Sequence, residues 1–205
     1  MGAGRIGKVQ NRQLATRGMV LCALFAALIA VGAFIRIPLP GPLTFSMQTM
    51  FVALAGMLLG KKFGVLSIAI YVGLGLCGLP IFSKGYGGPG YILEPSFGFL
   101  IGFFLHTWLT AYLTEKAKDR PTIKKMILVQ LPGLFLMYAI ALPYFYLISN
   151  FYLQNGMGVD VLMTTCFLWM MPGEAAKCLL AAWLANRLLL VLHKTRQTAI
   201  GRRPE

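Results

Sequence analysis

Acid is scarce in this chain. Of its 205 residues only 6 are Asp or Glu, against 19 Lys or Arg, and charged residues of both signs make up just 12%. Soluble domains carry about 25% charge. A soluble domain of this length could not cover its surface with so few charges, so most soluble folds are excluded. The formal net charge of +13 would by itself suggest a polyanion as partner. A nucleic-acid binder, however, presents its bases as a patch or stripe on a hydrated body. Here the bases sit on a chain that is 58% hydrophobic, so nucleic acid is not expected as a partner.

Reactive groups are as scarce as acid. The four cysteines, Cys22, Cys77, Cys166 and Cys178, each lie in or beside an apolar run. They form no CxxC pair and have no histidine at metal-ligand spacing, which reads as small core residues rather than disulfides or ligands. His106 and His193 lack a local Ser, Cys or metal-ligand companion and read as packed or interfacial. The stretch Gly56-Met-Leu-Leu-Gly60-Lys61-Lys62 has three residues between its glycines where a phosphate loop needs four, and it ends on Lys, not Ser or Thr. The chain therefore carries no visible ATP-hydrolysing machinery, no catalytic constellation, no metal site and no cofactor motif.

What is abundant is apolar sequence. Six runs approach the ~20 residues that span a bilayer: 18–36, 43–60, 63–80, 95–114, 126–148 and 166–192. Six such spans leave roughly 85 residues for every loop and tail, too few for a soluble domain. The first run follows a basic stretch but has no A-x-A cleavage site, so it reads as a retained span rather than a signal peptide. The second and third are parted only by Lys61, Lys62 and Phe63, which predicts a tight helical hairpin. The expected fold is an all-α integral membrane protein with six transmembrane helices. Residues 1–17 are expected to form a basic tail, 18–192 the six-helix transmembrane domain, and 193–205 a second basic tail.

Orientation follows from where the bases fall. With both termini in the cytoplasm, 16 of the 19 basic residues lie on the cytoplasmic side, and only Arg36, Lys84 and Lys177 lie on or near the other. An odd number of spans would spoil that pattern. The outward connections differ in composition, being rich in Pro, Gly and aromatics: Pro38 to Pro42, and Pro80 to Pro95 with Tyr86 and Tyr91 among its glycines. The second of these is either an interfacial loop with an aromatic belt or a lid over a ligand site.

The stretch Met171-Pro172-Gly173-Glu174-Ala175-Ala176-Lys177 stands out because it puts two ionisable groups into an apolar run. A charge deep in a bilayer costs at least ~2.5–3.5 kcal/mol, so such residues face protein or a polar cavity. Their i, i+3 spacing places Glu174 and Lys177 on one helical face, as a self-neutralising pair or as the polar floor of a ligand site. In the first run Ala23 and Ala27, with Ala26 and Ala30, form overlapping small-xxx-small pairs that suit close helix approach, within the bundle or against another membrane protein. Gly56, Gly60 and Gly64, and Gly98 with Gly102, read as internal packing.

Several of these pieces resemble one known family. The run Leu43-Thr44-Phe45-Ser46-Met47-Gln48-Thr49, then Ala53 to Gly60, is similar to the second span of BioY proteins. Gly78-Leu-Pro-Ile-Phe82, Gly87-Gly-Pro-Gly-Tyr91 and Pro95 to Phe103 are similar to the family's third-to-fourth-span region. Pro172-Gly173-Glu174-x-x-Lys177 resembles its last-span P-G-D-x-x-K, with Glu where the family usually has Asp. The pieces occur in order across residues 19–192. The resemblance implies the biotin-specific substrate-binding (S) component of an energy-coupling factor (ECF) transporter in a bacterial cytoplasmic membrane. Such a component is energised by a transmembrane coupling protein and two ATPase subunits, which accords with the missing phosphate loop. It also implies ligand contacts by Glu174 and Lys177, and docking to the coupling protein through Ala23, Ala26, Ala27 and Ala30. On that reading Glu174 accepts from a ureido N–H and Lys177 donates to the ureido oxygen. Gln48 can donate and accept, Phe82, Tyr86 and Tyr91 can cover the rings, and Ser83 and Lys84 occupy a place where some members carry a polar contact. Lys84 or Arg36 is left to meet the carboxylate. A stand-alone ion-coupled vitamin carrier is the alternative, although six spans with no evident repeat fit it less well.

Overall fold

A computed structural model describes residues 3–38, 44–117, 122–154, 156, 158–164 and 170–200, with backbone alone for 3–15, 38, 44 and 191–200. Among these residues the chain is almost wholly helical. Helix α1 runs Ala3–Phe34, α2 Gln48–Leu76, α3 Phe97–Lys116, α4 Ile123–Leu147, α5 Val159–Thr164 and α6 Met171–Ile200. Among the described residues four segments are long and apolar enough to cross a membrane: Thr16–Phe34, Gln48–Leu76, Phe97–Lys116 and Ile123–Tyr152. In a bilayer every backbone polar group must be satisfied within the protein, which favours helices of this kind.

The hairpin expected at Lys61-Lys62 is present inside α2. Gly60 leaves the helical region with φ 75° and ψ −177°, a backbone region open essentially to glycine alone. The chain then folds back on itself. Gln48 Nε2 donates to the Tyr71 hydroxyl at 2.8 Å, and a Cβ on Gly64 would lie 3.0 Å from the Ala55 carbonyl oxygen. Both pairs are centred on the same point of the sequence, as antiparallel arms require. The turn is clamped from α3: Glu115 accepts the Lys61 backbone N–H at 3.1 Å and meets Lys61 Nζ at 2.9 Å.

The core lies along α3, which packs between α2 and α4. Glycines set the spacing. A Cβ at Gly56 would come within 2.8 Å of the Thr107 carbonyl oxygen, at Gly102 within 2.6 Å of Met137 Cγ, and at Gly133 within 2.7 Å of His106 Cδ2. Gly56, Gly64, Gly98 and Gly102 thus serve close packing inside the bundle, as their spacing suggests.

Some boundaries differ from the hydrophobic runs. The first helix begins at Ala3, so the backbone of the expected 1–17 tail continues α1 from that point. It ends at Phe34, because Arg36–Pro38 (β1) pairs antiparallel with Thr44–Ser46 (β2), Arg36 opposite Ser46. The third run stops being helical at Leu76, four residues short of Pro80. After α4 come a π-helical turn at Ile148–Tyr152 and the short α5, which the hydrophobic runs do not mark as separate elements. Residues 165–169, which include Cys166 and most of the expected start of the last span, lie outside the described residues, as do 1–2 and 201–205 of the two tails. The His193 side chain also falls outside them.

Candidate functional site

The start of α6 builds the centre of the site. Pro172 sits in the first turn, where its missing N–H costs nothing. A Cβ on Gly173 would overlap the Phe45 ring. Glycine there lets β2 lay Phe45 against α6, and Glu174 falls in the first helical turn, where a carboxylate is favoured by the exposed N–H groups. Lys177 follows three residues on. Both side chains are about 3% exposed, and Lys177 Nζ lies 2.5 Å from Glu174 Oε1.

The hydrogen bonds around this pair are unevenly shared. An ammonium has three N–H donors, and Lys177 uses all of them: on Glu174 Oε1, on Thr49 Oγ1 at 2.7 Å and on the Ser46 carbonyl at 2.9 Å. Its charge also sits 4.1 Å from the centre of the Phe45 ring, a favourable cation–π contact. Glu174 Oε1 accepts further bonds from Tyr138 at 3.2 Å and Thr49 at 3.4 Å. Its second oxygen, Oε2, is buried and takes no hydrogen bond in the structure. A buried carboxylate oxygen without a donor is unfavourable by ~1–3 kcal/mol or more, and it is the natural place for a ligand N–H.

The glycine-rich loop forms the roof. Phe82 is fully buried and occupies the space a side chain at Gly75 would fill. It packs edge-on to Tyr71 at 5.5 Å and stacks on Tyr91 at 4.5 Å. The Gly88 N–H reaches the Gly75 carbonyl at 2.7 Å, and Tyr91 shares a 3.0 Å hydrogen bond with Ser96. Burial holds the Tyr91 phenol above its usual pKa, against the hydrogen bond from Ser96, so its hydroxyl stays protonated and able to donate. Lys84, with φ 67°, and Tyr86 are exposed at the crest of the loop.

Between roof and pair lies a cleft, open on one side, with about 50 Å³ of enclosed space, smaller than a typical small-molecule site. Of the residues expected from the sequence, Gln48, Ser83, Tyr91, Glu174 and Lys177 line it. Phe82, Lys84 and Tyr86 do not: the first plugs the loop onto α2, and the others point away. The sequence reading did not single out Tyr138, Thr49 and the Ser46 carbonyl as partners of the pair. Nor did it pick the apolar walls Phe99, Leu100, Phe103 and Met137. Ser46 and Thr49 fall in the run that carries the family resemblance, but a lone tyrosine in a membrane helix gives no such sign. The alanines of α1 divide: Ala23 and Ala27 are exposed, Ala30 is half-buried and Ala26 is buried in the core.

A buried ion pair lining a cleft in a helical bundle apolar enough to cross a membrane fits the class of membrane proteins that handle small polar molecules. Comparison with known proteins makes this particular. The chain belongs to the BioY family, which it matches over residues 8–194. It is 40% identical over 185 residues to a probable biotin transporter BioY of Lysinibacillus sphaericus, covering 90% of this chain and 93% of that protein. It is 35% identical over 172 residues to a biotin transporter BioY of Thermotoga maritima, covering 84% and 95%. Its fold matches a crystal structure of the S-component for biotin from an ECF-type ABC transporter with a TM-score of 0.73 at 26% identity, covering 86% of this chain and 92% of that one. The family is one of transport proteins, not of enzymes.

Proposed function

We propose that this protein binds biotin in the cavity beneath the glycine-rich loop and serves as the membrane-embedded S-component of an ECF-type transporter. The observation that carries the reading is the buried Glu174–Lys177 pair, both members of which line the cleft and one of whose carboxylate oxygens lacks a donor. Biotin's ureido group has two N–H donors and one carbonyl. A ureido N–H supplies the donor that Glu174 Oε2 lacks, and the carbonyl takes one N–H of Lys177. Phe99, Leu100, Phe103 and Met137 give the fused rings an apolar wall, and Tyr91 covers them from the loop. The exposed base Arg36 stands opposite Ser46, which lines the cavity, so the valerate carboxylate leaves toward it.

The folded-back α2 contributes two passes and α6 the last, six in all, with both termini cytoplasmic as the distribution of bases requires. Ala23 and Ala27 form the exposed part of the docking face for the coupling protein, and separate ATPases supply the energy. The test is direct. Purified protein in detergent should bind biotin stoichiometrically. Lys177→Ala should weaken binding about 10- to 150-fold, the equivalent of a charged hydrogen bond of ~1.5–3 kcal/mol. A wild-type dissociation constant weaker than millimolar would remove biotin as the ligand.

A further inference from the structure

Directly beneath the Glu174–Lys177 pair lies a second, thinner gap, lined by His106 from α3, Gln130 from α4, and Thr49, Glu174 and Lys177. It is too narrow to seat a water molecule. Yet both ring nitrogens of His106, the amide oxygen of Gln130 and Glu174 Oε2 are buried without a hydrogen bond, and so, outside the lining of the gap, is the Thr110 hydroxyl. Buried polar groups are rarely left unpaired. With no room for water, these groups have only one another, or a ligand that reaches Glu174.

Their chemistry is complementary. Gln130 spends its Nε2 on the carbonyls of Met126 at 3.2 Å and Cys178 at 2.9 Å, which leaves its oxygen as an acceptor only. Glu174 Oε2 is an acceptor too. A neutral imidazole brings one donor and one acceptor. Thr110 lies one turn along α3, and its hydroxyl shares with the ring the space that the missing Gly133 side chain leaves, each within 3 Å of that point.

We propose that His106 is a positioning residue for the ligand site: a turn of its ring, which bonds nothing as it stands, brings an N–H to Glu174 across the gap they share and fixes the carboxylate so that its remaining acceptor edge faces the ligand's N–H. Thr110 supplies the donor for the other ring nitrogen. The carboxylate wins over the Gln130 oxygen because hydrogen bonds to an ionised acceptor are about twice as strong as neutral ones. The proposal rests on the reading of Glu174 as a ligand contact and extends the site one layer deeper, to a residue that never touches the ligand.

The experiment is a double-mutant cycle read by biotin titration of the full chain in detergent. His106→Leu should weaken biotin binding about 10-fold or more in the wild-type background. It should do so less than threefold in the Glu174→Gln background, because a residue that acts through a carboxylate loses its effect with that carboxylate. His106→Asn and His106→Gln place an amide N–H where Nδ1 and Nε2 stand, and one of them should restore affinity to within threefold of wild type. Equal losses in the two backgrounds would mean packing alone and would overturn the proposal. So would unchanged affinity in His106→Leu. If His106→Leu does not fold, weak binding by both the Asn and Gln variants in folded form would overturn it as well. A wild-type chain that binds no biotin would bring down the ligand reading first, and the wild-type titration reports that before any variant is compared.

Discussion

Lys177 is saturated with acceptors while Glu174 has one oxygen crowded and one unused, and this asymmetry tells how the site can exchange partners. A ureido carbonyl that takes an N–H from Lys177 replaces one good acceptor by another, so the exchange is nearly neutral. The ligand N–H that reaches Glu174 adds a bond on its less crowded oxygen. Net gain therefore concentrates on the acid. The carboxylate end of the ligand is different, because its partners are exposed and each contact is small. Arg36 is held by β1 opposite Ser46, whose carbonyl accepts from Lys177, so its place is tied to the site. Lys84 has no comparable tie. Arg36→Ala should therefore lower affinity for biotin about 2- to 5-fold, a surface ion pair of ~0.5–1 kcal/mol. It should leave affinity for the uncharged biotin amide unchanged, and Lys84→Ala should change neither. Calorimetric titration with both ligands separates these outcomes.

Helix α2 illustrates what an element owes to single residues. Its sequence is apolar nearly throughout and would otherwise read as one long span, but Gly60 reverses it. Glu115 caps the second arm by accepting the first free N–H, as an N-cap side chain does, and brings a charge to Lys61 as well. Gly60→Ala forces an alanine into glycine-only backbone geometry, at about 1–3 kcal/mol, with its Cβ only 3.0 Å from Glu115 Oε1. Thermal unfolding in detergent should show a drop in Tm of several degrees. Gly73→Ala makes a matched control: it lies in the same helix, where a Cβ meets nothing within 4 Å, and should leave Tm unchanged or slightly raised. Equal effects at the two positions would argue against the turn as the weak point. The turn was legible in the sequence, since two adjacent lysines interrupt an apolar run and glycine precedes them. The Glu115 clamp was not, because 54 residues separate it from Lys61.

For the molecule as a transporter component, the exposed face of α1 matters most. Ala23 and Ala27 lie outside the bundle while Ala26 lies in its core, so on the proposed reading one motif serves two purposes. Small exposed side chains permit another helix to approach closely, and a bulky residue there blocks approach without disturbing the ligand cavity. Ala23→Trp and Ala27→Trp should abolish biotin uptake by the assembled transporter while biotin binding by the isolated chain stays within twofold of wild type. Ala26→Trp should instead lower the stability of the isolated chain, since overpacking a core costs ~1–3 kcal/mol. Normal uptake by the two exposed variants would place the docking face elsewhere.

The sequence by itself determined the membrane-spanning helical class, the hairpin and the identity of the charged pair. The bilayer makes each of these conspicuous: a run must be apolar to cross it, and an ionisable group inside that run stands out by its cost. Only the tertiary structure decided which neighbours the pair keeps. Thr49, Tyr138, His106 and Gln130 are uncharged and cheap to place in a helix, and they come together only when α2, α3, α4 and α6 pack at glycine distances. It likewise turned Phe82 from an expected cover for the ligand into the plug that holds the loop on Gly75. An aromatic ring in a loop can serve either purpose, and the decision rests on a hole in α2 that no local pattern reveals.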